Sequence, residues 1–306
     1  KLFKPIDHPD GHETGDNDQL LLEFEYTVTD KDGDHVVNKL KIAIKDDGPE
    51  MKMIVAPMIH EKDVIEGVDV KLHTDYGADG PGSISGLMLH KVTDFETYEE
   101  LALKSCGVDV VFDAAYTNAQ GMIVLIGKAD GEKVIQVKLD PEQDKAWIKL
   151  FKAIDHPDGH QTGDQDQLLL EFKYTVTDKD GDHVTNKLKI AIKDDGPEAQ
   201  VKTAPMIHEK NVVDSVDVNL NTDYGKDGKG TLSGLMLSKI TDFETYEQLD
   251  LESCGVKVIF EPAYENNAGQ LVLVGKADGE TVIKVTLDPA QDKAWVKLFK
   301  PIDHPD

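Results

Sequence analysis

Residues 20–50 read LLLEFEYTVTDKDGDHVVNKLKIAIKDDGPE, and this stretch decides the fold class. In its first half the apolar residues Leu22, Phe24 and Tyr26 alternate with polar ones, and the second half alternates in the same way. Asp32-Gly33 between the halves is a hairpin turn signal. Period-two alternation is typical of half-buried strands, so the stretch predicts a β-hairpin.

The same stretch returns with few changes at residues 168–198, which gives a sequence period of 148 residues. The period also relates Cys106 to Cys254 without any insertion, and a third copy begins at Lys297. Self-similarity at a fixed period indicates an array of structural repeats. We therefore expect the chain to be a piece of a longer array.

Most of the remaining sequence also predicts strands. They are expected at residues 64–72, 83–90, 108–113, 122–128, 133–139 and 146–151. Turns rich in Gly, Asp and Asn separate them, and eight or nine strands per repeat is a number typical of a sandwich. The sequence therefore predicts an all-β fold of tandem Ig-like β-sandwich repeats.

Residues 93–103 are the exception to the strand pattern. Thr93 with Glu96 resembles a capping box, and Phe95, Tyr98 and Leu101 fall at helical spacing. We expect one short helix here in each repeat. The alternative is a long loop that packs its aromatic side chains onto the sandwich.

The repeat boundaries are predicted from the linkers. Asp46-Asp47-Gly48-Pro49 directly follows a strand, and Pro49 cannot donate to a β-ladder. One complete repeat then spans 51–198, with 1–50 the last strands of a preceding repeat and 199–306 the first part of a following one. Unpaired edges at both ends could then drive end-to-end self-association. The alternative phasing is 1–148 and 149–296.

Composition narrows the class of partner. Fifty-nine Asp and Glu against 33 Lys and Arg give a formal net charge of −26. Nucleic acids and anionic membranes are bound by basic surfaces, so neither is expected as a partner. Thirty-nine per cent hydrophobic residues predict a folded chain rather than an acidic disordered tail.

The hairpin turns concentrate the acidic residues. Three carboxylates fall within five residues in each repeat, at Asp30, Asp32 and Asp34 and again at Asp178, Asp180 and Asp182. Carboxylates this close repel, and Ca²⁺, which takes 6–8 oxygen ligands, suits such a group. A solvated turn without a metal is the alternative. An EF-hand is excluded, because its Gly and Glu positions, counted from Asp30, are His35 and Lys41.

The linker acids form a second candidate calcium site. They are Asp46 and Asp47 in the first linker and Asp194 and Asp195 in the second. They lie one strand away from the turns, so a cation there could join neighbouring sandwiches, with Glu50 as a further ligand. An ordinary polar hinge is the alternative. Weaker candidates, each also explained as turn residues, are Asp16, Asp18, Asp75, Asp79 and Asp130.

The histidines and cysteines suggest little chemistry. A zinc site could be written from Asp7, His8, Asp10 and His12, repeated at Asp155, His156, Asp158 and His160, but a structured turn is the favoured interpretation. Cys106 and Cys254 are expected to be buried free thiols, because they lie one repeat apart. Catalytic motifs such as Gly-x-Ser-x-Gly, a phosphate loop or His-Glu-x-x-His are missing, so no enzyme is expected.

The strings IDHPDG, LLLEFEYTVTDKDGD and LKIAIKDDGPE, preceded by LKSCGVDVVF, resemble the long repeats of giant RTX adhesins, which Gram-negative bacteria export by type I secretion. The resemblance covers the chain twice. It implies calcium-binding Ig-like extender repeats that hold a ligand-binding tip away from the cell during biofilm formation. It also implies that the turn acids and the linker acids are the calcium ligands. Cys106 departs from the small residue expected at its position.

This resemblance predicts a calcium-stabilised extender at the bacterial cell surface. Its partners would be calcium ions and neighbouring repeats. The alternative is that the repeats themselves bind a glycan or a protein. Tyr76 and Tyr116 with Asn118 are the only candidate platforms for a glycan.

Overall fold

A computed structural model of the protein describes residues 2, 4, 6, 8, 19–63, 67–157, 166–198, 200–209, 215–242 and 244–304. About 51% of these described residues lie in strands and about 1% in helix, so the predicted all-β class is confirmed. The chain divides into two compact units, unit 1 (Lys1–Gly196) and unit 2 (Pro197–Asp306). Among the described residues, no helix is long and apolar enough to span a membrane.

The strands of unit 1 are β1 (Gln19–Thr29), β2 (His35–Lys45), β3 (Met53–Val55), β4 (Ile59–His60), β5 (Val68–Lys71), β6 (Pro81–Asp94), β7 (Lys104–Ser105), β8 (Val108–Asp109), β9 (Val111–Phe112), β10 (Tyr116–Thr117), β11 (Ile123–Ala129), β12 (Glu132–Asp140), β13 (Lys145–Leu150), β14 (Gln167–Asp178) and β15 (His183–Lys193). A single 3₁₀ turn, Glu61–Asp63, follows β4.

Unit 1 contains a sandwich of two sheets. One sheet has the order β10-β11-β12-β13-β5, with β9 also beside β11. The other has the order β3-β15-β14-β6, with β4 also beside β15. Strands β3 and β4 run parallel to β15, and the other paired strands are antiparallel.

One apolar core lies between the two sheets. The alternating residues of β14 and β15 point into it, and Phe172 and Tyr174 are completely buried. Phe172 of one sheet meets Phe112 of the other edge-to-face, with ring centroids 6.2 Å apart. The period-two pattern of the sequence therefore corresponds to real inner-face burial in this hairpin.

The β1–β2 hairpin has the same sequence pattern but a different environment. Its two strands pair with each other from Gln19↔Lys45 to Thr29↔His35 and form a separate two-stranded sheet. Phe24 is 50% exposed and Tyr26 is 51% exposed, whereas their equivalents in β14 are at 0%. One sequence thus occurs once in a core and once on a surface.

Unit 2 contains a single large sheet among its described residues. Its strands are β16 (Ser215–Asn219), β17 (Glu252–Ser253), β18 (Val256–Lys257), β19 (Ile259–Phe260), β20 (Tyr264–Glu265), β21 (Leu271–Ala277), β22 (Glu280–Asp288) and β23 (Lys293–Leu298). The sheet has the order β16-β23-β22-β21-β19, with β20 also beside β21. It repeats the first sheet of unit 1, and a small cluster around Val258, Ala277 and Val282 forms its core.

The predicted helix at residues 93–103 is wrong. Strand β6 continues through Asp94, whose carboxylate accepts N–H groups of Glu96 (2.9 Å) and Thr97 (2.5 Å) and so closes one isolated turn. Tyr98 has φ of +60°, which ends the turn, and Leu101 N–H then donates to Val92 O at 3.0 Å. The capping signal was real, but Asp94 provides it and the chain folds back onto β6.

The strands of the sandwich in unit 1, from β3 (Met53–Val55) to β15 (His183–Lys193), all lie within residues 51–198. Residues 1–50, assigned from sequence to a preceding repeat, cluster with unit 1, and the division between units falls after Gly196 in the second linker. The assignment of repeats to 51–198 and 199–306 stays a prediction.

The two hairpins provide a matched pair of substitutions. Phe172→Ala should lower the free energy of unfolding of unit 1 by about 3–5 kcal/mol, because it leaves a cavity between the sheets. Phe24→Ala should change it by less than about 1 kcal/mol, because the side chain is half exposed. Urea unfolding in a Trp295→Phe background, where Trp147 alone reports on unit 1, measures both. Equal losses would contradict the different environments described here.

Candidate cation site

Two carboxylate residues of the β14–β15 hairpin turn are buried. Asp178 N–H donates to Asp182 O at 2.9 Å, and Gly181 N–H donates to the Asp178 carboxylate at 3.1 Å. Gly181 has φ of +116°, a conformation that suits glycine. Asp178 is 3% exposed and Asp182 is 7% exposed, so both carboxylates have lost most of their water.

Two other segments meet this turn: the first linker, residues 46–49, and the loop DYGADGPG, residues 75–82. Ala78 N–H donates to Asp47 O at 3.2 Å. A side chain at Gly77 would place its Cβ 1.8 Å from Asp47 O, and one at Gly82 would place it 1.8 Å from Asp178 O. The loop therefore carries glycine where the linker and the turn pass closest to its backbone.

Five carboxylates come together where these segments meet, and we call them the junction cluster: Asp46, Asp79, Asp178, Asp180 and Asp182. Carboxylate oxygens of Asp79, Asp178 and Asp180 lie within 4.8 Å of one another. His8 also contacts the cluster. Its Nδ1 lies 3.1 Å from Asp46 Oδ1, and its backbone N–H donates to the Asp180 carboxylate at 3.3 Å.

The electrostatics of the junction cluster favour the binding of a positive charge. Burial, followed by contact with Asp180, raises the pKa of Asp178 to about 6. The contact with Asp46, followed by burial, raises the pKa of Asp182 to about 7, because the two carboxyls can share a proton. Apart from protons shared within the cluster, one buried oxygen each of Asp46, Asp178 and Asp180 has no hydrogen-bond partner. Unpaired buried oxygens are costly, and a bound cation would satisfy them.

The donor set fits a hard cation. The ligand atoms of the cluster are carboxylate oxygens, which Ca²⁺ prefers, together with a ring nitrogen of His8. In such a site Ca²⁺ would supply charge neutralisation, while the chain supplies ligands from three segments that are far apart in sequence.

The equivalent turn of the first hairpin has a different environment. Asp30, Asp32 and Asp34 also lie within 4.8 Å of one another, but all three are exposed. The Asp30 carboxylate accepts N–H groups of Gly33 (3.0 Å) and Asp34 (2.9 Å), and the hydrogen bond with Asp32 is the largest cause of its lowered pKa. The two turns have the same sequence, DKDGD, but different environments.

The two acidic residues of the first linker also differ in environment. Asp46 joins the junction cluster, whereas Asp47 is exposed and contributes its carbonyl to Ala78. Glu50, considered as a further ligand, lies 3.2 Å from Lys52 Nζ and forms an ion pair with it.

Asp194 lies in a second cluster, with Glu61 and His156. The Glu61 carboxylate accepts the N–H of Ile154 at 2.7 Å, and Asp194 Oδ1 lies 3.7 Å from His156 Nδ1. The backbone N–H of Asp195 donates to Asp194 Oδ1 at 2.8 Å, and Asp195 joins no acidic or histidine cluster within the described part of the chain.

Other candidates from the sequence have ordinary local roles or cannot be placed. Asp75 accepts the N–H of Gly77 at 3.2 Å, and Asp130 occupies a turn with φ of +50°. Of the zinc candidates, only His8, Asp155 and His156 are described. Asp16 and Asp18 lie outside the described residues. So does the rest of the zinc set: Asp7, Asp10, His12, Asp158 and His160.

The expectation of buried thiols is wrong. Cys106 and Cys254 are free and exposed. Each occupies the first position of a two-residue hairpin turn before a glycine, with φ of +52° and +54°. Turns of this type need positive φ at both positions, so the Cys-Gly pair follows backbone geometry rather than packing. The sequence signal was the glycine that directly follows each cysteine.

Sequence reasoning missed one recurring surface cleft. Trp147 lies in a cleft with Lys138, whose Nζ is 4.4 Å from the centre of the indole ring, and Trp295 lies in a cleft at the equivalent position of unit 2. Of the two platforms expected from sequence, Tyr76 packs against the core and Tyr116 is 50% exposed. A single Trp on a strand gives no sequence signal for such a cleft.

Residues 58–191 are similar to a family described as a domain of unknown function (DUF5801). The matched segment includes Asp79 and the turn 178–182 and begins after Asp46. No curated protein and no solved structure matches the chain. The geometry of the junction cluster is therefore the main guide to function.

Metal-free protein should become less stable between pH 5 and pH 7.5. Native Asp178 and Asp182 keep their protons to about pH 6 and 7, whereas in the unfolded chain an Asp loses its proton near pH 4. The native state therefore binds more protons in this window, and its free energy of unfolding falls as pH rises. Asp182→Asn should flatten this dependence, measured by urea unfolding with chelator in the Trp295→Phe background.

The matched control for this prediction is Asp34→Asn, the same change in the exposed turn. It should leave the pH dependence of unit 1 as it is. An identical pH dependence in Asp182→Asn and the unsubstituted chain would contradict the raised pKa of Asp182.

Proposed function

We propose that these repeats are calcium-stabilised extender repeats of a large bacterial surface adhesin, which project a ligand-binding tip for surface attachment and biofilm formation. The observation that supports this is the junction cluster, where carboxylates from a linker, a loop and a hairpin turn meet and one buried oxygen each of Asp46, Asp178 and Asp180 has no hydrogen-bond partner. A cation there would tie the linker to the sandwich.

The physical consequence of calcium binding would be stiffening. Without a cation, the carboxylates at the junction cluster repel or retain protons, and the linker is held by backbone contacts such as the hydrogen bond from Ala78 N–H to Asp47 O. With Ca²⁺ bound, Asp46 and the turn 178–182 would share one ion, which would hold the linker more firmly. Free Ca²⁺ at about 100 times the Kd would add about 2.7 kcal/mol to the free energy of unfolding.

Extracellular calcium suits such a switch. Extracellular modules bind Ca²⁺ with Kd of about 10⁻⁴–10⁻³ M, so the site would fill outside the cell and stay empty in the cytoplasm. The proposed location is therefore the bacterial cell surface, reached by type I secretion, with neighbouring repeats and calcium ions as partners. The near-identical period of 148 residues supports a spacer, since a repeated module adds length without adding chemistry.

A repeat-borne binding module is the second candidate. The clefts at Trp147 and Trp295 favour it, because an aromatic ring beside polar and charged groups is the kind of surface that a glycan stacks on. Trp147→Ala and Trp295→Ala would abolish glycan-array binding by such a module. An extender would show no such binding in either form.

Millimolar calcium, about ten times a Kd of about 10⁻⁴ M, should raise the melting temperature of unit 1 by about 3–6 °C over the chelated protein. The double variant Asp178→Asn, Asp182→Asn should lose most of this rise, because it removes two ligands and two of the repelling charges. Trp147 fluorescence in the Trp295→Phe background follows unit 1, and small-angle scattering should show a longer, stiffer particle only with calcium.

The matched control is Asp30→Asn, Asp34→Asn, the same change in the exposed turn, studied at a concentration where the protein is monomeric. It should keep the calcium-dependent rise of unit 1. Equal melting temperatures with calcium and chelator would overturn the proposal, and an equal loss in both double variants would assign the ion to a different place.

A further inference from the structure

The β1–β2 hairpin exposes apolar side chains that its equivalent buries. Phe24, Leu40 and Ile42 are 50%, 50% and 43% exposed, whereas Phe172, Leu188 and Ile190 are all at 0%. The exposed set of β1 and β2 is larger than these three: Leu21, Phe24, Tyr26, Val28, Val36, Val37, Leu40 and Ile42. An apolar surface of this size on two strands usually marks an interaction site.

Unit 2 exposes the segment and the sheet face that would receive such a hairpin. Residues 229–242 are the equivalent of β6 but form no strand in the described part of the unit, apart from one bridge between Thr241 and Gln248. Met236 is 73% exposed and Leu237 is 39% exposed. On the sheet behind, Ile283 and Val285 are only partly buried, whereas their equivalents in unit 1 are completely buried.

The sandwich of unit 1 provides the template for joining these surfaces. There β14 pairs with β6 in the register Leu170↔Val92, Phe172↔Leu89 and Val176↔Ile84. One period of 148 residues earlier or later, the same pairs read Leu22 with Ile240, Phe24 with Leu237 and Val28 with Leu232. Each of these three pairs is apolar on both sides, so the sequence is compatible with the same register in the docked state.

The same template applies to the parallel edge. In unit 1, β15 pairs with β3 through Lys187↔Met53 and Leu188↔Ile54. The corresponding partners of β2 in unit 2 begin at Val201, which is 96% exposed and lies outside any strand. The hairpin could therefore be held in unit 2 from both of its edges, as β14–β15 is held in unit 1.

We propose that the β1–β2 hairpin of one copy of this chain completes the sandwich of unit 2 in a second copy. The end of the hairpin is fixed to its own unit 1, because Ala78 N–H donates to Asp47 O and Lys52 N–H donates to Asn186 Oδ1 at 2.8 Å. Among the described residues each copy offers this hairpin in one unit and the acceptor in the other, so the contact is heterologous and extends head to tail.

Calcium should strengthen this association. In unit 1 the turn 178–182 lies beside Asp79, so in the docked state the turn 30–34 would lie beside Asp227 of the second copy, the equivalent residue. The exposed turn would then become a second junction cluster. Two chains that each carry a net charge of −26 also repel, so the association should strengthen with salt.

The test uses two single variants of the full chain, Phe24→Asp in the hairpin and Leu237→Asp in the acceptor. Both side chains are exposed in the isolated chain, so neither change should unfold it. In sedimentation velocity with calcium and reductant, the unsubstituted chain should form oligomers whose size grows with concentration. Each variant should weaken self-association more than about tenfold, because a charge would enter the docked core.

A mixture of the two variants gives the decisive result. The Leu237→Asp chain keeps a working hairpin and the Phe24→Asp chain keeps a working acceptor, so an equimolar mixture should form a one-to-one dimer that cannot extend. The control Glu25→Lys introduces the residue that β14 carries at this position, Lys173, and should still form oligomers. Reductant excludes disulfides through the exposed Cys106 and Cys254.

Three outcomes would overturn the inference: a monomeric chain at every concentration, self-association as strong in either single variant as in the unsubstituted chain, or a mixture that stays monomeric. The third outcome with wild-type oligomers would mean that another surface is responsible. Repeating the series with chelator separates this inference from the calcium proposal, because hairpin docking that persists without metal supports the interface even if unit 1 binds no calcium.

Discussion

The packing of the β14–β15 hairpin against β6 is the contact on which the rest of unit 1 depends. It closes the second sheet, buries Phe172 and Tyr174 over the first sheet, and brings the turn 178–182 against the linker. The β1–β2 hairpin lacks this contact. There the equivalent residues, Phe24 and Tyr26, are half exposed, and the acidic residues of the equivalent turn are exposed. Tertiary packing, and not local sequence, therefore decides which acidic turn becomes a candidate metal site.

Much of the fold could be predicted from the sequence, because period-two alternation is a local property. β1 and β2 form the hairpin predicted from residues 20–50, and Asp-Gly turn signals lie where hairpins turn. The helix at residues 93–103 failed because spacing alone does not reveal that Tyr98 takes a positive φ. The exposure of Cys106 was missed for the same reason, since its role is set by turn conformation.

The candidate site was predictable only in part. The clustering of Asp178, Asp180 and Asp182 is local, and the sequence gives it directly. That Asp46 and Asp79 join them depends on contacts between segments about a hundred residues apart, which spacing cannot provide. In retrospect Gly77 and Gly82 were the signal, because each leaves room for a neighbouring backbone at 1.8 Å from the missing Cβ.

The parallel pairing of β3 with β15 has a mechanical consequence. β3 is the first strand after one linker and β15 is the last before the next, and they are neighbours in one sheet. Tension applied through the two linkers would pull these strands in opposite directions along their length. Their hydrogen bonds would then be loaded in shear and would have to break together, so this geometry resists force better than a hairpin that unzips one bond at a time.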